Sequence, residues 1–200
     1  MSNVLKRKAE EIMSVLNDIP VVKKCTLYGS LAGDTYDELS DIDIEVDVSG
    51  YDNGQFMMEL AELLKNKFDI YYADYAPSLI PDKYIVSVAI DKENPFLIVD
   101  LCCCAEPHCT TVTKQQIMKK NDRYSHMLKL WTANLKHYVR GNDCYNDIVR
   151  MANRISVDEI DSKDEGEILH EVLCWLEDNV ENGLEEYVES CRRVFEELVA

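Results

Sequence analysis

No stretch of the 200-residue chain comes near the ~18 consecutive apolar residues that a membrane-spanning helix requires. The N-terminal "MSNVLKRKAEEIMSVLND" mixes charges into an amphipathic period, where a signal peptide would carry an uninterrupted apolar stretch. A cytoplasmic protein with no membrane segment is expected. Basic charge is also scarce: 21 Lys and Arg stand against 38 Asp and Glu, a formal net charge of −17. So acidic a chain repels a nucleic-acid backbone, and nucleic acid is not an expected partner. Among the eight cysteines, at 25, 102, 103, 104, 109, 144, 174 and 191, no C-x-x-C pair occurs. A metal cluster of Cys102, Cys104, His108 and Cys109 therefore lacks zinc-site spacing. Neighbours in "CCC" point in alternate directions and are badly placed to bridge one another. Reduced thiols serving as small buried hydrophobes are expected. Repeats and low-complexity segments are absent, and so is the composition of a disordered chain.

What the chain does contain, 46% hydrophobic and 30% charged residues over this length, suits one large domain or two small ones with a buried core. Charge is unevenly spread. Residues 1–111 hold 9 basic and 20 acidic side chains, 112–140 hold 7 and 1, and 141–200 hold 5 and 17. The patterning predicts a helix over 4–17 with Leu5, Ile12, Val15 and Leu16 inward, then a strand in "VVKKCTLYG". A helix follows in "QFMMELAELLKNKF", and strands in "DIYYADY", "KYIVSVAID" and "PFLIVDLCCC". From Thr113 the pattern turns wholly helical. One long helix is expected from 113 to Gly141, with others at about 143–155, 164–180 and 184–199. An α/β half, 1–110, and a helical half, 111–200, are thus expected.

The segment "LYGSLAGDTYDELSDIDIEVDV", residues 27–48, carries the chemistry. On an extended chain Asp41, Asp43, Glu45 and Asp47 share one face, and Ile42, Ile44, Val46 and Val48 share the other. The apolar face reads as core. The acidic face is either a solvated edge or a cation site. Gly29 and Ser30 follow a strand and open the next helix, where a tight turn and free amides suit a phosphate. Acids at i and i+2 on one strand can share a hard divalent cation, and Mg²⁺ takes oxygen ligands and bridges to phosphates. "FLIVDLCCC" adds Asp100, a lone acid in an apolar strand, costly to bury unless it meets a cation or strong donors. In this order, phosphate loop, paired acids and third acid favour a site over a solvated edge.

At "LYGS", "DIDI" and "VDL" the chain resembles the DNA polymerase β-type nucleotidyltransferase superfamily, over roughly residues 20–104. The resemblance implies an α/β (α+β) nucleotidyltransferase domain with a mixed sheet, followed by an all-helical domain. It implies that Asp41, Asp43 and Asp100 are the catalytic acids holding two Mg²⁺ ions, and that Gly29 and Ser30 bind the triphosphate of ATP or another nucleotide. Glu45 and Asp47 lie beyond the family's pair and are expected to face solvent or the acceptor pocket.

The basic residues Lys119, Lys120, Arg123, Lys129, Lys136 and Arg140 fall on the expected long helix, and such a patch can hold the triphosphate tail or pair with acids of later helices. Lys129 and Lys136 are taken as its nucleotide-binding members. His126 and Trp131 could contact the base, although helix packing suits both better. In family members acting on antibiotics an acid of the helical half takes the acceptor's proton, and here Glu167 and Glu171 are compared with it. Both also read as surface acids. The function implied is a nucleotidyltransferase of the EC 2.7.7 type. It would pass a nucleoside monophosphate, AMP from ATP in the first instance, to a hydroxyl of a small molecule. The resemblance to aminoglycoside and lincosamide resistance enzymes makes an antibiotic the expected acceptor, and the surplus acids suit a cationic one. The alternative is a minimal regulatory or antitoxin module that binds or nucleotidylates a partner protein. Template-dependent polymerase or RNA-tailing activity ranks third because of the net charge, and a homodimer is among the assemblies to be tested.

Overall fold

The period-two pattern of "IDIEVD" becomes a strand because its β-branched residues fit a pleated, half-buried surface. In the computed structural model, which describes residues 2–77, 82–155, 160, 163–181 and 183–199, this strand, β2 (Ile42–Asp47), lies second in a five-stranded sheet. The others are β1 (Lys24–Tyr28), β3 (Tyr72–Pro77), β4 (Lys83–Ala89) and β5 (Ile98–Cys104), in the order β1-β2-β5-β4-β3. β2 and β5 run parallel, and every other pairing is antiparallel. The sheet is mixed, as expected.

One face of the sheet is core. Ile42, Ile44, Val46, Val86, Val88, Val99, Leu101 and Cys103 are fully buried there. Against that face lie α1 (Ser2–Asn17), which buries Leu5, Ala9, Ile12 and Leu16 at helical spacing, and α3 (Asn53–Leu64), which buries Phe56, Met57, Leu60, Ala61 and Leu64. Val15 is only half-buried. Asp52 caps α3 by accepting the Gln55 amide at 2.8 Å, and its other oxygen accepts the Thr111 hydroxyl at 2.7 Å. Between β1 and β2 the chain makes a single short turn of helix, α2 (Gly29–Ala32).

The long helix expected after Thr113 is two helices, α4 (Lys114–Lys120) and α5 (Arg123–Val139). The break has a cause. Asn121 leaves the helix with an extended backbone, φ −72° and ψ 134°. Its side-chain oxygen accepts the Tyr75 amide at 2.7 Å and its side-chain nitrogen donates to the Tyr75 carbonyl at 2.8 Å. The amide side chain thus pairs with the open edge of β3, at the cost of helix continuity. Lys119 and Lys120 are consequently on a different helix from Lys129 and Lys136.

The chain divides into two compact units. The first holds residues 1–91 and 97–122, the second 92–96 and 123–200. The division expected at 110 therefore meets a more interleaved arrangement: α4 packs on β3 within the sheet unit, and the turn at 92–96 groups with the helices. In the helical unit α5 packs with α6 (Tyr145–Ala152) and α7 (Glu165–Asn179), and α8 (Glu185–Val199) packs on α7. Trp131 is fully buried and its indole donates to the Leu169 carbonyl at 2.9 Å, so it serves packing. The turn is secured within that unit by Tyr187, whose hydroxyl donates to the Pro95 carbonyl at 3.0 Å, and by the pairs Lys92–Glu186 at 2.7 Å and Arg193–Glu93 at 2.9 Å. Among the described residues no helix is long and apolar enough to cross a membrane.

Ile44 sits at the centre of the buried face with no exposed surface. Ile44→Ala is expected to destabilise the protein by about 2–5 kcal/mol through lost transfer energy and a cavity. Lys67→Ala, at an exposed position, should change stability by less than about 0.5 kcal/mol. Urea denaturation followed by far-UV circular dichroism measures both.

Candidate active site

The face of the sheet opposite the core carries a polar row across all five strands. Tyr28 pairs with Asp43, Asp43 with Asp100, Asp100 with Ser87, and Ser87 with Asp74. Directly opposed residues on neighbouring strands send their side chains to the same face, and strands stand ~4.8 Å apart, so the row is a contiguous polar stripe. Asp43 and Asp100, predicted from motifs 57 residues apart, are thus brought side by side by parallel pairing. The Ser87 hydroxyl donates to Asp100 Oδ1, which supplies the buried donor that a lone acid in an apolar strand requires.

Gly29 begins α2 at φ +68°, a left-handed conformation. A Cβ added there would stand 2.1 Å from Asp43 Oδ2. The glycine is therefore required twice, for its backbone and for the carboxylate lying over it. Tyr28 occupies the N-cap position and gives the first turn no side-chain cap, and Ser30 follows half-buried. Burial pushes the Tyr28 phenol up, with the carboxylates of Asp43, Asp100 and Glu45 acting in the same direction.

Asp41 lies one residue before β2 and is half-buried. The chain reaches it through a fixed turn in which Asp37 Oδ1 accepts the Leu39 amide at 3.1 Å and the Ser40 hydroxyl at 2.8 Å, while Ser40 Oγ accepts the Asp37 amide at 3.0 Å. Among the described residues no three His, Cys, Asp or Glu side chains are grouped closely enough to hold a metal ion by themselves. The two opposed carboxylates nevertheless match the requirement of Mg²⁺, which binds through one or two carboxylates and completes its octahedron with water and substrate phosphate.

The remaining acids of β2 are engaged. Glu45 pairs with Lys83, and Asp47 accepts the Ser49 amide at 2.8 Å and the Ser49 hydroxyl at 2.6 Å. Both border a cavity of about 510 Å³ at the far end of the polar face, together with Lys24, Lys83, Cys104 and His108. With Lys24 and Lys83 beside them, these acids offer a cationic acceptor less than their number suggests.

Lys129 and Lys136 belong to the helical unit, where Lys136 is buried with Nζ 6.0 Å from the Phe96 ring centroid and Lys129 is half-buried. This describes a packed helix face. Glu167 closes the cap of α7, accepting the Asp164 amide at 2.9 Å, and Glu171 pairs with Lys163 at 2.8 Å, so each carboxylate already has a structural partner. His126 lies 3.3 Å from an Arg154 guanidinium nitrogen. In the "CCC" run Cys103 faces the core, and Cys102 and Cys104 face the polar side. Burial pushes the Cys102 thiol up to about 11.

Sequence reasoning missed Ser87, Asp74 and Tyr28. Ser87 and Asp74 each carried a signal, a polar residue inside an apolar strand, but only cross-strand register aligns them with Asp100. Residues 10–87 match the family model described as "Polymerase beta, Nucleotidyltransferase". The match takes in the glycine loop and both acids of "DIDI" and ends before Asp100. No curated protein matches the chain.

Gly29→Ala should destabilise the protein by about 1–3 kcal/mol, the usual strain of a side chain in the left-handed region. Gly33, at φ −85° with 3.6 Å of clearance for a Cβ, should accept alanine with a change within about 1 kcal/mol. Thermal denaturation of the two variants checks the contrast.

Proposed function

From the premise that the chain carries a polymerase β-type nucleotidyltransferase domain, we propose that it transfers a nucleoside monophosphate from a nucleoside triphosphate to a hydroxyl of a small molecule. The observation that carries this reading is the side-by-side placement of Asp43 and Asp100 next to the Gly29 turn. A carboxylate pair fit for a hard cation and a glycine loop fit for phosphate meet on one face of the sheet.

Asp43 and Asp100 are the residues that would hold Mg²⁺, with Asp41 entering from the chain just before β2. When bound, Mg²⁺ supplies charge neutralisation on the triphosphate and makes the acceptor hydroxyl more acidic. The chain's own contribution is positional. Gly29 lets the backbone pass close over Asp43, and Ser30 presents a hydroxyl at the start of α2 to a phosphate oxygen. In the transfer a bond forms between the acceptor oxygen and the α-phosphorus, the bond from that phosphorus to the leaving oxygen breaks, pyrophosphate departs, and the proton of the acceptor hydroxyl passes to water. ATP is the nucleotide we assign first.

For the acceptor we retain a small hydroxyl-bearing compound of the aminoglycoside or lincosamide kind, with the cavity beside Glu45 and Asp47 as its place. The engagement of those two acids by Lys83 and Ser49 weakens the electrostatic argument for a cation. The aminoglycoside-like reading therefore rests less on charge.

The test is incubation with labelled ATP, GTP, CTP or UTP, Mg²⁺ and a panel of antibiotics or cell extract, scored by pyrophosphate release and labelled product. Asp43→Asn is expected to lower transfer more than about 100-fold while thermal denaturation remains close to the parent's. EDTA should stop the reaction and Mg²⁺ or Mn²⁺ restore it. Near-normal turnover by Asp43→Asn would refute the assignment, and label on a protein would move the acceptor class from small molecule to partner protein.

A further inference from the structure

Ser87 has no exposed surface, although it is a polar residue in a strand whose neighbours Val86 and Val88 belong to the core. It stands in register between two acids, Asp100 on β5 and Asp74 on β3, the latter 2% exposed. A serine hydroxyl has one proton and can donate to only one of them. It donates to Asp100 Oδ1.

A carboxylate on a short side chain still turns about its terminal torsion, and each orientation sends its oxygens in different directions. A donor fixed on one oxygen removes that freedom and leaves the other oxygen aimed. We propose that Ser87 is a positioning residue for Asp100, holding Oδ1 so that the remaining oxygen is presented to a divalent cation on the Asp43 side of the row. This rests on the nucleotidyltransferase reading of Asp43 and Asp100. Partners one step behind a metal ligand act in this way generally, and their loss costs about 10–100-fold in metal affinity. A role limited to satisfying a buried carboxylate would leave metal affinity untouched once the protein is folded.

The full-length protein is titrated with Mn²⁺ in the presence of a non-transferable ATP analogue, free Mn²⁺ being read by electron paramagnetic resonance. Ser87→Ala removes the hydroxyl. Ser87→Cys keeps the volume nearly constant and replaces the hydroxyl with a weak donor, so it decides the matter if the alanine variant fails to fold. Both are expected to weaken Mn²⁺ binding about 10-fold or more, with thermal denaturation recorded on the same samples. Parental Mn²⁺ affinity in the folded Ser87 variants, together with weakened binding in Asp43→Asn and Asp100→Asn, would overturn the positioning role and leave the site. Parental affinity in the two aspartate variants as well would overturn the reading beneath it.

Discussion

Asp43 can stand where it does because residue 29 has no side chain. The carboxylate fills the space a Cβ would occupy, 2.1 Å from it, and the backbone at that residue takes a conformation that other residues adopt only with strain. Two independent demands therefore fall on one position. The turn leaving β1 passes directly over the acid of β2, which draws the start of α2 and the carboxylates of the central parallel pair into one small region. Moving the turn outward would separate the phosphate-suited loop from the acids. Moving β2 would break its register with β5, which places Asp43 beside Asp100.

The three acids that alternate through β2, Asp43, Glu45 and Asp47, share a face and little else. Asp43 lies in the row with Asp100, whereas Glu45 meets Lys83 and Asp47 holds the turn at Ser49. Asp41 comes from the fixed loop ahead of the strand. Period-two placement put them together, and cross-strand partners then gave each a separate role. The same consideration tempers any use of the net charge of −17: a formal total counts charges that are locally paired, and the field at a site depends on those that are not.

The legible part of the fold was local. Strand alternation in "IDIEVD" and "KYIVSVA", the helical stripe of Leu5, Ile12 and Leu16, and the Gly-Ser turn each follow from nearest-neighbour sterics and burial, and each stands as expected. The illegible part depended on partners distant in sequence. Nothing within 113–141 shows that Asn121 will pair with Tyr75 and divide a helix. Nothing within β4 shows that Ser87 will oppose Asp100, because register is decided by the packing of whole strands. Lys129 and Lys136 illustrate the converse. Their i, i+7 spacing correctly puts them on one side of α5, yet spacing carries no information about what that side packs against, and Lys136 is buried beside Phe96.

The groups between the acids bear on the site as much as the acids do. Cys102 lies two residues along from Asp100 on the same face, and burial pushes its thiol up, as it does the phenol of Tyr28. Either group, if ionised, would add a negative charge to a stripe that already carries Asp43 and Asp100, and repulsion between like charges would raise the cost of keeping the carboxylates side by side. Cysteine at 102 and 103 supplies small apolar volume without a charge. Partial burial of this face therefore adds to the cost of ionising the thiol and the phenol, both of which are neutral near pH ~7 in any case.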